Sequence, residues 1–224
     1  MTSTRGRASQ PARPRLTPAA ASKPNSGLRT ALQKHVDFFD SNQDGRITLA
    51  ETYDGLRRLG INALRSASFA AVINAALGPV TSRTLTLSID TARIHLARHG
   101  SDTGVYDSRG RFSPVRFNTL FDRHDADGDG ALDAGELTQV FSRNRTDLMG
   151  HLGSRAEFGL LLELAGEKRK GRLVLTRERL ELFYNGSLFY KLAQEVRARK
   201  AQAGRRRRES TAPRDGTLVA PLRH

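Results

Sequence analysis

The sequence predicts a mainly α-helical fold of helix–loop–helix units with one short apolar helical segment, flanked by disordered basic tails. Three observations predict it. Apolar side chains recur three and four residues apart through most of 28–195. Two twelve-residue segments rich in Asp and closed by Glu lie between such stretches. The charge is uneven: of a net +14, residues 1–27 hold +5, residues 196–224 hold +7, and the middle holds only +2. A near-neutral body with cationic ends excludes a uniformly basic nucleic-acid-binding domain, so no specific nucleic-acid partner is expected.

Residues 1–27 carry Arg5, Arg7, Arg13, Arg15 and Lys23 with no acid. Pro11, Pro14, Pro18 and Pro24 break any amphipathic helix there, so the segment reads as a disordered tail. Its Arg/Ser/Ala composition leaves organelle targeting as a second reading, and it lacks the apolar core of a secretory signal. The first helix follows from Leu28, Leu32, Val36 and Phe39, with His35 on the same side. Residues 61–82 are the most apolar stretch. Asn74, Gly78 and Pro79 interrupt it, and its length suits a buried helix or an interfacial segment better than a full membrane span. Phe117, Leu120, Phe121 and His124 mark another helix, Leu137, Val140 and Phe141 the next, and Leu180 with Tyr184 a later one. From about residue 196 the chain loses periodicity around Arg205–Arg208. That run reads as a solvated tail, a nuclear-type basic patch or an aid to binding an anionic surface.

The two acidic segments carry the chemistry. In residues 40–51, Asp40, Asn42 and Asp44 place side-chain oxygens at positions 1, 3 and 5. Gly45 permits the sharp turn at position 6, and Arg46 offers its backbone carbonyl at position 7. Thr48 acts at position 9, through a water, and Glu51 supplies two oxygens at position 12. Residues 125–136 repeat the pattern with Asp125, Asp127, Asp129, the Ala131 carbonyl, Asp133 and Glu136. Hard oxygen donors at this spacing are the EF-hand signature of a Ca²⁺ site. The second loop holds five carboxylates and the first three, so metal should stabilise the second hand more. Position 8, Ile47 in the first loop, should pair with a neighbouring loop.

EF-hands pack in pairs, which prompts a search for metal-less partners. Residues 166–177 keep the pattern around Gly171 and Leu173, but Gly166, Lys168, Lys170 and Arg177 occupy the ligand positions. This is a degenerate loop suited to pair with the second calcium loop. Residues 105–116 keep Asp107, Gly110 and Phe112 but place Arg109 and Arg116 at ligand positions, where an ordinary Asp-Ser-Arg-Gly turn explains them as well.

The absence of cysteine excludes disulfides, zinc fingers, iron–sulfur clusters and thiolate chemistry. Six histidines remain. His151 and His224 have no supporting context, and His124 reads as a packed residue bracing the second loop. His95 and His99 share one helical face without a third ligand, and His35 alone reads as a core histidine.

Several separated motifs change that weighting. Leu32-Gln-Lys-His35 through Asp40, Glu51-Thr-Tyr53-Asp-Gly55-Leu, His99-Gly-Ser-Asp-Thr-Gly-Val-Tyr106-Asp107 with Gly110-Arg-Phe112, Asn144-Arg145, the stretch on to Leu164, and Tyr184-Asn-Gly-Ser-Leu-Phe189 occur in order across about 28–192. This pattern resembles the caleosin family. The resemblance implies a calcium-binding, lipid-droplet- or membrane-associated protein. It also implies a haem peroxygenase that transfers oxygen from fatty-acid hydroperoxides to lipid acceptors. By motif match it makes His35 and His99 the axial ligands of haem b, and its alternative is a non-catalytic calcium-responsive lipid-associated protein or calcium sensor. The chain departs from the family pattern in two places. Gly78-Pro79-Val80 carries one proline where the family has a proline-rich knot, and the loop 125–136 is intact where many relatives have a degenerate one.

Overall fold

A computed structural model of the chain describes residues 29–97, 104–142 and 159–211. It is mainly helical with small antiparallel sheets. The first helix, α1 (Ala31–Asp37), starts at Thr30, whose hydroxyl accepts from the Gln33 N–H while the Gln33 side chain accepts from the Thr30 N–H. The first acidic loop follows, containing β1 (Arg46–Ile47), and leads into α2 (Leu49–Arg58). Next come the long helix α3 (Ala63–Ser82), an extended return, β2 (Ile89–Asp90) and a 3₁₀ helix (Thr91–Leu96). The second half contains α4 (Pro114–His124), the second acidic loop with β3 (Ala131–Asp133), and α5 (Ala134–Ser142). A helical segment described over 159–165 (α6), a hairpin of β4 (Glu167–Arg169) and β5 (Arg172–Thr176), α7 (Arg177–Tyr184) and α8 (Leu188–Thr211) complete it.

Each acidic loop is paired, the second by the degenerate segment the sequence proposed and the first by another segment. Ile47 of the first loop lies opposite Ile89, in a segment that neither candidate partner covers. Residues 166–177 do meet the second loop, but Leu132 faces Leu175 and not Leu173. The two-residue turn at Lys170–Gly171, both with positive φ, closes the tight β4–β5 hairpin, and Leu173, on the same strand face as Leu175, lies beyond the end of β3, whose last partner is Val174. Leu175 is therefore fully buried and Leu173 is 39% exposed. Residues 105–116 form a turn with a Tyr106–Phe112 bridge, in which the Asp107 carboxylate accepts the N–H groups of Arg109 and Arg111 and pairs with the Arg111 guanidinium.

The main core gathers Phe117, Phe121, Leu132, Leu137, Leu175, Leu180, Tyr184 and Leu188 around the second pair, with Phe38 of the first half against it. Smaller clusters lie under the first pair, one around Val36, Ile47, Ile89 and Ile94 and one around Leu56, Ile61 and Ala70. Phe39 packs against all three, and Gly55 makes room for it: a Cβ there would lie 2.2 Å from the Phe39 ring.

Two segments differ from expectation. Helix α8 runs to Thr211, well past the residue-195 boundary of the folded part. Its outer half is rich in Ala, Arg, Lys and Gln, which favour helix without any apolar stripe. The apolar stretch forms one continuous helix through Pro79, yet only 22% of its most apolar window is buried. The buried face is small or polar (Ser66, Ala70, Asn74, Gly78 and Thr81), and Leu64, Val72 and Val80 point outward.

Candidate functional site

The first loop is organised by its own hydrogen bonds. The two Asp40 oxygens accept the N–H groups of Asp44 (3.2 Å) and Gly45 (3.0 Å). Asn42 Oδ1 accepts from the Asp44 N–H at 3.0 Å, and Asp44 Oδ1 from the Arg46 N–H at 2.8 Å. Gly45 takes φ 83°, the left-handed conformation that the turn at position 6 requires. Glu51 closes the ring. One oxygen accepts from the Ser41 N–H and hydroxyl, and the other from the Thr48 N–H and hydroxyl at 3.0 and 2.9 Å. Thr48 and Glu51 are also the capping box of α2, so the helix start and the loop closure share one carboxylate. Burial pushes the Asp40 carboxyl up, against the Gly45 N–H and with the Asp44 and Glu51 charges. Burial pushes Glu51 up too, but the hydrogen bonds from Thr48, Ser41 and Asn42 outweigh it and hold Glu51 low. An acid whose folded value is raised disfavours the fold once ionised, and a bound cation offsets that cost.

The second loop has the same path with more charge. Asp125 Oδ2 accepts the Gly130 N–H at 3.1 Å, and Gly130 adopts φ 76°. Glu136 accepts the Ala126 and Asp133 N–H groups, both at 2.9 Å. Asp133 caps α5 by accepting from Gly135 and Glu136. The Glu136 N–H is the main reason its carboxyl sits below the ordinary range, slight burial opposing. Carboxylate oxygens of Asp125, Asp127 and Glu136 lie within 4.8 Å of one another, and Asp125 Oδ1 is buried with no hydrogen-bond partner. Converging carboxylates with one orphaned oxygen fit a hard cation. Two arginines that the sequence analysis did not single out lean on this loop from the hairpin: Arg172 pairs with Asp133 at 3.0 Å, and Arg169 donates to the Asp129 carbonyl at 3.0 Å.

His35 lies on α1 five residues before Asp40. Its Nδ1 is 3.3 Å from the Phe183 carbonyl, and its ring meets Phe183 edge-on at 4.8 Å and Phe189 at 4.6 Å. Gly186 makes this possible. It has φ 85°, and a Cβ there would lie 2.5 Å from the Ala31 carbonyl and 2.8 Å from the His35 backbone nitrogen. The α7–α8 turn thus presses on α1 and brings both phenylalanines to the imidazole. A backbone carbonyl at one ring nitrogen is the usual orienting partner of a metal-ligating histidine, so His35 fits the donor chemistry of a haem ligand. His99 lies outside the described residues. His95 sits half-buried on the 3₁₀ helix, and His124 is buried with Nδ1 2.8 Å from the Leu120 carbonyl, a packed role. A cleft of about 580 Å³ beside the first loop is lined by Arg29, Lys34, Asp37 and Tyr190 among others, not by His35. Arg29 and Asp37 pair across it at 3.1 Å.

Comparison with known proteins places this arrangement. Residues 28–193 match the family model of caleosin-related proteins. The chain is 36% identical over 170 residues to "Probable peroxygenase 4" of Arabidopsis thaliana, covering 73% of this chain and 86% of that protein. It is 34% identical over 176 residues to "Peroxygenase" of Lilium longiflorum, covering 76% and 72%. It is 32% identical over 108 residues to "Probable inactive peroxygenase-like protein" of Arabidopsis thaliana, covering 47% and 50%. No solved structure matches the chain.

Proposed function

The chain belongs to the caleosin family, and from that premise we propose that it is a calcium-dependent haem peroxygenase acting on fatty-acid hydroperoxides at a lipid surface. The relatives named peroxygenase support the reaction class. The observation that carries the reading is His35, an imidazole oriented by a backbone carbonyl and walled by two phenylalanines on the helix that runs into the first acidic loop. His35 and His99 would hold haem b. Haem, when bound, supplies the cleavage of the hydroperoxide O–O bond and the transfer of its distal oxygen to an alkene, sulfide or amine. The Phe183 carbonyl keeps the proton on Nδ1 and so directs Nε2 to the metal. Phe183 and Phe189 exclude water beside the ring.

Calcium occupies both loops. Asp40, Asn42, Asp44, the Arg46 carbonyl, Thr48 and Glu51 hold the first ion, and Asp125, Asp127, Asp129, the Ala131 carbonyl, Asp133 and Glu136 the second. The lipid contact is peripheral, at a droplet or an anionic membrane. It is made by the outward face of α3, whose polar side is turned to the body.

A second reading, a calcium-responsive lipid-associated protein or calcium sensor without catalysis, is favoured by the relative named inactive and by an exposed apolar helix that needs no haem. Absorption spectroscopy of haem-reconstituted protein separates the two. The peroxygenase requires a Soret band that shifts or is lost in His35→Val and in His99→Val, with turnover of a fatty-acid hydroperoxide. A protein without the band and without turnover is not a peroxygenase.

A further inference from the structure

We infer that the buried amide of Asn74 latches the apolar helix α3 to the first acidic loop, so that calcium in that loop and lipid on the outward face of α3 strengthen each other's binding. This rests on the lipid-surface reading above and adds its regulation.

Helix α3 divides its apolar residues: Phe69, Ile73 and Leu77 pack against the small cores, while others face outward. Twenty residues of α helix span about 30 Å. Along that length the inward stripe hydrogen-bonds to backbone. Thr81 Oγ1 accepts from the Asp90 N–H at 3.0 Å, Ser82 donates to the Ser88 carbonyl at 2.8 Å, and Gly78 lies so close to the return strand that a Cβ would meet the Thr86 carbonyl at 2.3 Å. The outward side shows Leu64 at 80%, Val72 at 64% and Val80 at 46% exposure, continued by Leu85 at 100% and Leu87 at 51%. Exposed apolar side chains grouped along one helix and its return mark an interaction surface. Between residues 61 and 89 there is no Asp or Glu, and Arg65 and Arg83 stand at the two ends of the helix. Arg65 pairs with Glu163 at 2.6 Å, so Arg83 is the cation placed to meet a phosphate headgroup beside the acyl chains that the apolar strip complements.

Asn74 has no solvent exposure and three partners in three different elements. Its Oδ1 accepts from the Thr52 hydroxyl of α2 at 2.6 Å. Its Nδ2 donates to the Ile47 carbonyl, at position 8 of the loop, at 3.1 Å, and to the Leu87 carbonyl of the return strand at 2.6 Å. Thr52 directly follows Glu51, and Ile47 directly precedes Thr48, the two residues that close the loop. A small movement of Glu51 toward a cation therefore moves both anchors of the amide. Tightly packed buried groups pass such shifts on. Thr91 adds a second tie, donating from its hydroxyl to the Gly45 carbonyl at 3.1 Å. At the equivalent strand the second loop pairs with β5 and not with a segment returning from α3, so the latch belongs to the first loop. Coupling between sites is reciprocal, so one factor describes both directions.

The test uses the haem-free full chain. Flotation with phosphatidylcholine vesicles containing phosphatidylserine is measured with calcium and with chelator. Calcium calorimetry is run with and without the same vesicles, in a Glu136→Gln background that reports the first loop. Calcium should raise vesicle partition about fivefold or more, and vesicles should tighten first-loop calcium by the same factor. Thr52→Val, nearly isosteric and checked for an intact thermal transition, should bring both factors close to one, and Asn74→Leu should do the same where it folds. Coupling that survives Thr52→Val overturns the latch. Vesicle binding that is equal with and without calcium overturns the latch and leaves the lipid surface standing. Failure to bind vesicles in either condition overturns both. A calcium-dependent rise in sedimenting mass, without flotation, assigns the face to a second copy of the chain and also overturns the proposal.

Discussion

The two acidic loops follow nearly the same path but differ in what surrounds them. In the first, Asp40 and Glu51 are buried, and every oxygen of both accepts a backbone or hydroxyl hydrogen bond. In the second, five carboxylates crowd a more exposed turn, Asp125 Oδ1 has no partner, and two arginines of the adjoining hairpin reach in. The first loop is largely pre-formed by neutral donors and tied to the rest of the molecule. The second stores more repulsion and has more to gain from a cation, part of which Arg172 already relieves. Liganding charge and mechanical connection have been separated between two copies of one motif. The third acidic turn sharpens the point. Asp107 is held down to about 2, first by the backbone N–H of Arg111 and then by its side chain, so that carboxylate is already served and has no need of a metal.

The largest expected effect concerns the partner strands. Leu175 packs fully buried opposite Leu132, so Leu175→Ala should cost about 3 kcal/mol in chemical denaturation. Leu173→Ala should cost less than about 1 kcal/mol, because that side chain is partly exposed. Equal losses would mean that Leu173 is covered as fully as Leu175, contrary to a β3 that ends opposite Val174. A smaller effect separates the two ion environments. Arg172→Gln removes an exposed cation from Asp133 and should tighten calcium at the second loop about twofold to threefold, with the first loop unchanged. Weaker calcium in that variant would show that Arg172 positions Asp133 more than it competes with the ion.

Much of this was legible in the sequence because chelation is local. All the oxygen donors proposed for each loop lie within twelve residues, and Gly45 and Gly130 announce the turn on their own. The partners were harder because pairing is not local. Ile89 stands in Ser-Ile-Asp, with no glycine or acidic cluster to mark it as the mate of Ile47. The run Leu173-Val174-Leu175 does not alternate in polarity, and the two leucines share one strand face, so only the place where β3 ends, opposite Val174, decides that Leu175 is covered and Leu173 is not. Helix α8 outruns its predicted end because periodicity detects burial, and its last turns are exposed. Asn74, Gly78 and Pro79 read as interruptions of an apolar segment. Taken with Ser66, Ala70 and Thr81, the first two lie on a small and polar stripe at helical spacing, and that stripe was the available signal for the close approach of α3 to its neighbours.

Calorimetric titration of the full chain with calcium bears most directly on the central claim that both loops bind the ion. Two sites are predicted, with Glu136→Gln weakening one and Glu51→Gln the other, each by about tenfold or more. A wild-type chain that takes up no calcium at millimolar concentration, or a titration that neither substitution alters, would contradict the account.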